Sequence, residues 1–119
     1  LEQIVRLVGP DALPDNQRLV LLTARLIREG FLQQNALDPV DSYTSPERQD
    51  AMLRAIYRFH DRGQRLVALG VPLLKIRSLP VVDSILRMRT TIPNDKVREI
   101  ERIEREIDDQ TSQVEREYL

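Results

Sequence analysis

The sequence has no cysteine, no tryptophan, a single histidine, four glycines and only 4% aromatic residues in 119. Without cysteine there is no disulfide framework, no thiolate nucleophile and no cysteine metal site, and the composition fits a reducing compartment. His60 is the only histidine, so no metal site can be assembled from several of them. It reads as a partly buried packing residue, with a catalytic role as the other reading. Gly9, Gly30, Gly63 and Gly70 stand far apart, and no Gly-x-x-x-x-Gly-Lys-Ser/Thr loop is present to cradle phosphates. No apolar run approaches the ~20 residues needed to cross a bilayer, and no signal-peptide pattern opens the chain. A soluble protein without direct membrane insertion is therefore expected. A formal net charge of −1 gives no overall attraction to nucleic acid or an anionic membrane.

What is present is helical periodicity. At 119 residues with 41% hydrophobic residues, the chain can bury one modest, largely aliphatic core. Leu19, Leu22, Leu26 and Ile27, with Val20, Ala24 and Phe31 beside them, form an apolar stripe on a helix from Asp15 to Asn35, opened by Pro14. Before it, residues 1–8 read as the end of a helix stopped by Gly9 and Pro10. Leu1 stands inside an amphipathic pattern, which suggests a cut through a longer polypeptide. Ser45, Pro46 and Glu47 supply a hydroxyl N-cap, a proline at N1 and an acid in the first turn. The helix they start should run to about Leu69, with Gly70 as its stop. Met52, Ile56, Phe59, Gly63 and Leu66 make one buried row, and Leu53, Tyr57, His60 and Val67 the adjoining one. A short helix through Leu73, Leu74 and Ile76 follows, then one restarted by Pro80.

Residues 94–119 change character. Val97, Ile100, Ile103, Ile107 and Val114 form a narrow stripe among dense charges, interrupted by Gln110, more like a coiled-coil seam than a core helix. No strand-like alternation occurs. The expected class is all-α: a small helical bundle over 1–91 and a long charged C-terminal helix over 92–119, packed on the bundle or extending from it.

Residues Leu1-Glu-Gln-Ile-Val-Arg-Leu-Val-Gly-Pro-Asp-Ala-Leu-Pro14, Arg25-Leu-Ile-Arg-Glu-Gly-Phe-Leu-Gln-Gln-Asn-Ala36 and Asp38-Pro-Val-Asp41 occur in that order. Tyr43-Thr-Ser-Pro-Glu-Arg-Gln49 and Gly70-Val-Pro72 continue the series. Together they resemble the C-terminal domain of the catalytic A subunit of vacuolar/archaeal-type (V-type) rotary ATPases and ATP synthases. The resemblance implies a parent protein that couples ATP hydrolysis or synthesis to rotation of a central stalk and to ion transport, using Mg-ATP or Mg-ADP. The phosphate loop would lie elsewhere in that parent, so this fragment holds no cofactor and is expected to be inactive alone. The implied partners are the remaining domains of the same polypeptide, the rotor subunits and the non-catalytic B subunit. The implied location is cytoplasmic, peripheral to the membrane through the complex.

Two sites follow from the resemblance. Phe31, Gln33, Gln34, Asn35, Ala36 and Leu37 match the segment lining the adenine side of the nucleotide pocket. Leu37 stands where the family usually has phenylalanine, which keeps an apolar wall and removes a π face. Phe31 reads equally as core. Asp11, Ala12, Leu13, Pro14 and Asp15 match the turn that bears on the rotor, where two prolines supply stiffness. No catalytic or metal residue is assigned. The pairs Asp38 with Asp41 and Asp108 with Asp109 read as solvated charge and capping rather than a paired-acid site. Arg54, Arg58, Arg62 and Arg65 share a helix face that can grip phosphates or an acidic partner, or simply face solvent or a neighbouring subunit. A stand-alone interaction module, working through that stripe or the C-terminal seam, is the competing reading; the seam also suggests a homodimer of the fragment.

Overall fold

The computed structural model describes residues 14–32 and 45–119, and these form five α-helices with no strand among them. Helix α1 is Asp15–Ile27, continued by a π-helical turn over Arg28–Leu32. Helix α2 is Pro46–Ala68, α3 Leu73–Arg77, α4 Pro80–Thr91 and α5 Glu99–Tyr118, with a 3-10 turn at Asn94–Lys96 before α5. The expected helices at 1–8 and 33–35, and the loop at 38–44, lie outside the described residues.

Punctuation residues set the boundaries. Pro14 is the N-cap of α1 rather than its first helical residue, and its carbonyl accepts from the N–H groups of Gln17 and Arg18, both at 3.0 Å. Ser45 caps α2 as expected, its hydroxyl accepting from Arg48 N–H at 3.2 Å. At the other end, Gly70 takes φ +93°. Its N–H donates to Val67 carbonyl and that of Val71 to Leu66 carbonyl, each at 3.0 Å. This paired closure needs a left-handed residue that only glycine adopts cheaply. Pro80 restarts the chain as α4.

The core runs through all five helices. Leu19, Leu22 and Leu26 of α1 meet Met52, Ile56, Phe59 and Leu66 of α2, with Ile76 of α3 and Val81, Ile85 and Met88 of α4 completing the layer. The first predicted row of α2 is buried throughout. In the second, Leu53, His60 and Val67 are half-buried, and Tyr57 is a correction: it is 60% exposed. The arc widens instead toward Arg48, Ala51 and Ala55, all buried. Helix α5 has its most extensive contact with α2.

The C-terminal stripe is a second correction. Ile100, Ile103, Ile107 and Val114 are buried in the same core, with Thr111 buried in the gap between the last two. The stripe is covered by the chain's own α2 and α4, so it offers no open seam for a coiled coil or a homodimer.

Candidate functional site

The two sites expected from the sequence fall at opposite ends of α1. At the N-terminal end, Pro14 is exposed, and the part-buried Asp15 carboxylate reaches the start of α3. One of its oxygens accepts from the Leu73 backbone N–H at 3.0 Å, and the other lies 3.5 Å from the Arg18 guanidinium. Asp11, Ala12 and Leu13 lie outside the described residues.

At the C-terminal end, α1 relaxes from α-helical to π-helical winding over Arg28–Leu32, a local widening found often at functional positions. Gly30 is buried there against α4: a Cβ on it would meet Ile85 carbonyl oxygen at 3.0 Å and Leu86 Cα at 3.6 Å. Any larger residue would have to push backbone aside by a few tenths of an ångström. Glycine thus lets the π-helical turn at the end of α1 lie directly on α4. Gln33, Gln34, Asn35, Ala36 and Leu37 lie outside the described residues. Asp38 and Asp41 do as well.

Between these ends α1 is held on α2. The Thr23 hydroxyl and His60 Nδ1 lie 2.5 Å apart, and Thr23 is 7% exposed. His60 is thereby a half-buried cross-link between the two helices, in keeping with its packing role.

The arginine stripe is largely consumed within the chain. Arg58 donates to both Asp108 oxygens, at 2.8 and 2.6 Å, and Arg62 lies 3.2 Å from the same carboxylate. Arg54 pairs with Asp50 at 3.2 Å and approaches Glu104 at 3.9 Å. The hydrogen bond from Arg58 holds the Asp108 carboxyl below the usual carboxylate range, and the nearby charges of Arg58 and Arg62 add to the effect. Arg58 is raised in turn, first by that bond. The stripe therefore docks α5 onto α2. A phosphate or acidic partner at Arg58 or Arg62 would have to compete with α5's own acids.

Two buried arginines went unnoticed in the sequence. Arg48 is fully buried and its guanidinium donates to the Arg89 carbonyl near the end of α4; Arg89 is itself 9% exposed. The available signal was positional, since Arg48 lies four and seven residues before Met52 and Ala55 on the apolar face. Another missed residue is Gln110, whose side-chain oxygen accepts from Val81 N–H at 2.9 Å. The residue that interrupts the stripe of α5 thus satisfies the otherwise uncapped start of α4.

Comparison with known proteins adds a separate finding. Residues 1–75 match the family model described as the C-terminal domain of V and A type ATP synthase. The A subunit of the A-type ATP synthase of Methanopyrus kandleri is 51% identical over 111 residues, covering 92% of this chain and 19% of that protein. The V-type ATP synthase alpha chain 2 of Clostridium tetani is 44% identical over 107 residues, covering 90% of this chain and 18% of that protein. The corresponding A subunit of Thermococcus onnurineus is 44% identical over 115 residues, covering 97% of the chain and 19% of the relative. The chain thus spans about a fifth of the length of these relatives.

Proposed function

The chain belongs to the family of C-terminal domains of the catalytic A subunit in V- and A-type ATP synthases, and from that premise we propose that it is the motion-transmitting part of that subunit. The parent interconverts ATP hydrolysis or synthesis with rotation of a central stalk and ion transport. Mg-ATP and Mg-ADP are its substrates, held by phosphate-binding elements outside this chain. The fragment alone turns over no ATP.

One observation carries the reading. A single helical run, Asp15–Ile27 continued through Arg28–Leu32, joins the segment matched to the adenine pocket with the turn matched to the rotor contact. At about 1.5 Å per residue its α-helical part alone spans roughly 20 Å. Its buried face is locked to α2 and α4, so a push at one end is delivered at the other with little bending.

In this scheme Phe31, Gln33, Gln34, Asn35, Ala36 and Leu37 close the adenine side of the pocket, amides hydrogen-bonding the base and apolar groups covering it. Closure carries α1 with it, and the turn from Asp11 to Pro14 presses on the stalk. The partners are the remaining domains of the same polypeptide, the rotor subunits and the B subunit. The complex sits at the cytoplasmic side of the membrane, and among the described residues no helix is long and apolar enough to cross one.

The test is made in the assembled rotary complex. Residues 11–13 are replaced by Gly-Ser-Gly, and ATP hydrolysis is measured alongside ions moved per ATP. The expected outcome is continued hydrolysis with a several-fold lower ion-to-ATP ratio. An unchanged ratio would contradict the proposal.

A further inference from the structure

We propose that Asp15 is the anchor at the base of the rotor-facing turn: a positioning residue that ties the start of α1 to α3 and makes no contact with the rotor itself. The inference rests on the motion-transmitting reading above, since an anchor matters only if the turn is pushed against a load.

Asp15 and Leu73 are 58 residues apart in sequence, yet the carboxylate accepts from the Leu73 N–H at 3.0 Å. No side chain of α3 itself caps that helix, because its N-cap is Pro72, so the acid from α1 satisfies an N–H that would otherwise lack an intrahelical partner. The second oxygen faces Arg18, one turn further along α1. Both oxygens thus have partners within the protein's own framework, although the side chain is 36% exposed; the observation that marks an anchor is the bond to Leu73 across 58 residues of sequence.

The far side of the contact is buried. Leu73 and Ile76 are 3% and 0% exposed, and α3 follows directly on the Gly70 closure of α2. The start of α1 thus has a support beyond its own helix, the buried segment at α3. Without the hydrogen bond, the start of α1 loses its backbone tie to α3 and keeps its helical bonds to Pro14 carbonyl and the packing of Leu19 deeper in the core. Helix ends fray when their terminal contacts are lost, and a frayed base yields under load.

The need is for an acceptor at a given reach, not for charge, and this separates anchoring from rotor contact. Asp15→Asn keeps the acceptor and removes the charge. Asp15→Glu keeps the charge and misplaces the acceptor by one methylene. Both are made in the complete complex, with ions moved per ATP as the main readout and hydrogen exchange at the Leu73 amide as the second.

Asp15→Asn is expected to keep the ion-to-ATP ratio within about twofold of the parent. Asp15→Glu and Asp15→Ala are expected to open the Leu73 amide to exchange roughly fivefold faster, the factor that loss of one ordinary hydrogen bond produces. Their ion-to-ATP ratio should fall while hydrolysis continues. A loss of coupling in Asp15→Asn equal to that in Asp15→Glu would overturn the inference, because charge rather than reach would then matter. Unchanged exchange at Leu73 in Asp15→Ala would overturn it as well. If one of Asp15→Ala and Asp15→Glu fails to assemble, the other serves as the comparator, and a loss of coupling in Asp15→Asn equal to its loss overturns the inference. The Gly-Ser-Gly replacement of 11–13 serves as the reference: coupling lost there but kept in Asp15→Glu refutes the anchor and spares the motion-transmitting reading, whereas coupling kept in both refutes both.

Discussion

Arg58 grips both oxygens of Asp108 while Arg62 reaches one of them, so one carboxylate serves two cations of α2. Its depressed pKa gives the arrangement a definite pH signature. The stabilisation is complete above the unfolded carboxyl's ~3.9 and is lost as pH falls through the lower folded value. Arg58 is 43% exposed, so water screens the pair and the contribution is held to about 1 kcal/mol. Asp108→Asn should lower the unfolding free energy by about that amount at neutral pH. Urea denaturation of the two chains should give curves that draw together as pH falls below the ordinary carboxyl range. A constant gap down to the lowest pH would show that the pair is not the cause. The sequence displayed these arginines as a stripe but not their partners, because the acids that meet them lie about fifty residues away and only packing of α5 brings them near. Arg48 was hidden for the opposite reason: arginine on an apolar face looks like a break in the pattern, not part of the core.

At the level of elements, capping chemistry was the most legible part of the sequence. Ser45, Gly70 and Pro80 act locally, and each stops or starts a helix where its own backbone preferences require. Faces were less legible. The apolar row of α2 was plain from Met52 to Leu66, but whether the buried arc widened toward Tyr57 or toward Ala51 depended on where α5 lies. Alanine gives little hydrophobic signal even where it is buried, as Ala51 and Ala55 are. The stripe of α5 was visible too, and its spacing is as compatible with a core as with a coiled coil; burial among α2 and α4 decided it. Two substitutions separate the contributions to α5 docking. Ile107→Ala, at a fully buried position, should cost about 2–5 kcal/mol in urea unfolding. Gln110→Ala removes the acceptor for Val81 N–H and should cost about 1 kcal/mol. A larger loss from Gln110→Ala than from Ile107→Ala would mean that the α4 cap, rather than the apolar stripe, dominates.

For the molecule as a whole, the relation to its relatives matters more than any one contact. The family model ends at residue 75, within α3, yet similarity to the much longer relatives continues over 92% and 97% of the chain. That range takes in part or all of α5, and α5 fills the core beside α2, so the charged helix belongs to the body of the domain. The residue string that carried the resemblance was readable because it is long and ordered. The way α1 is clamped by Gly30 on α4 and by Asp15 on α3 was not, since each contact joins residues more than fifty positions apart.

The central claim is that this body moves as a unit when nucleotide binds to the parent protein. The absence of cysteine allows one to be introduced at the exposed Gln64 of α2 as the only thiol in this domain. A spin label there, paired with one on the phosphate-binding region of the same polypeptide, reports their separation by pulsed dipolar spectroscopy in the assembled complex. The account predicts that the distance distribution shifts on addition of Mg-ATP and returns when nucleotide is removed. A distribution unchanged by nucleotide, in a complex that still hydrolyses ATP, would contradict it.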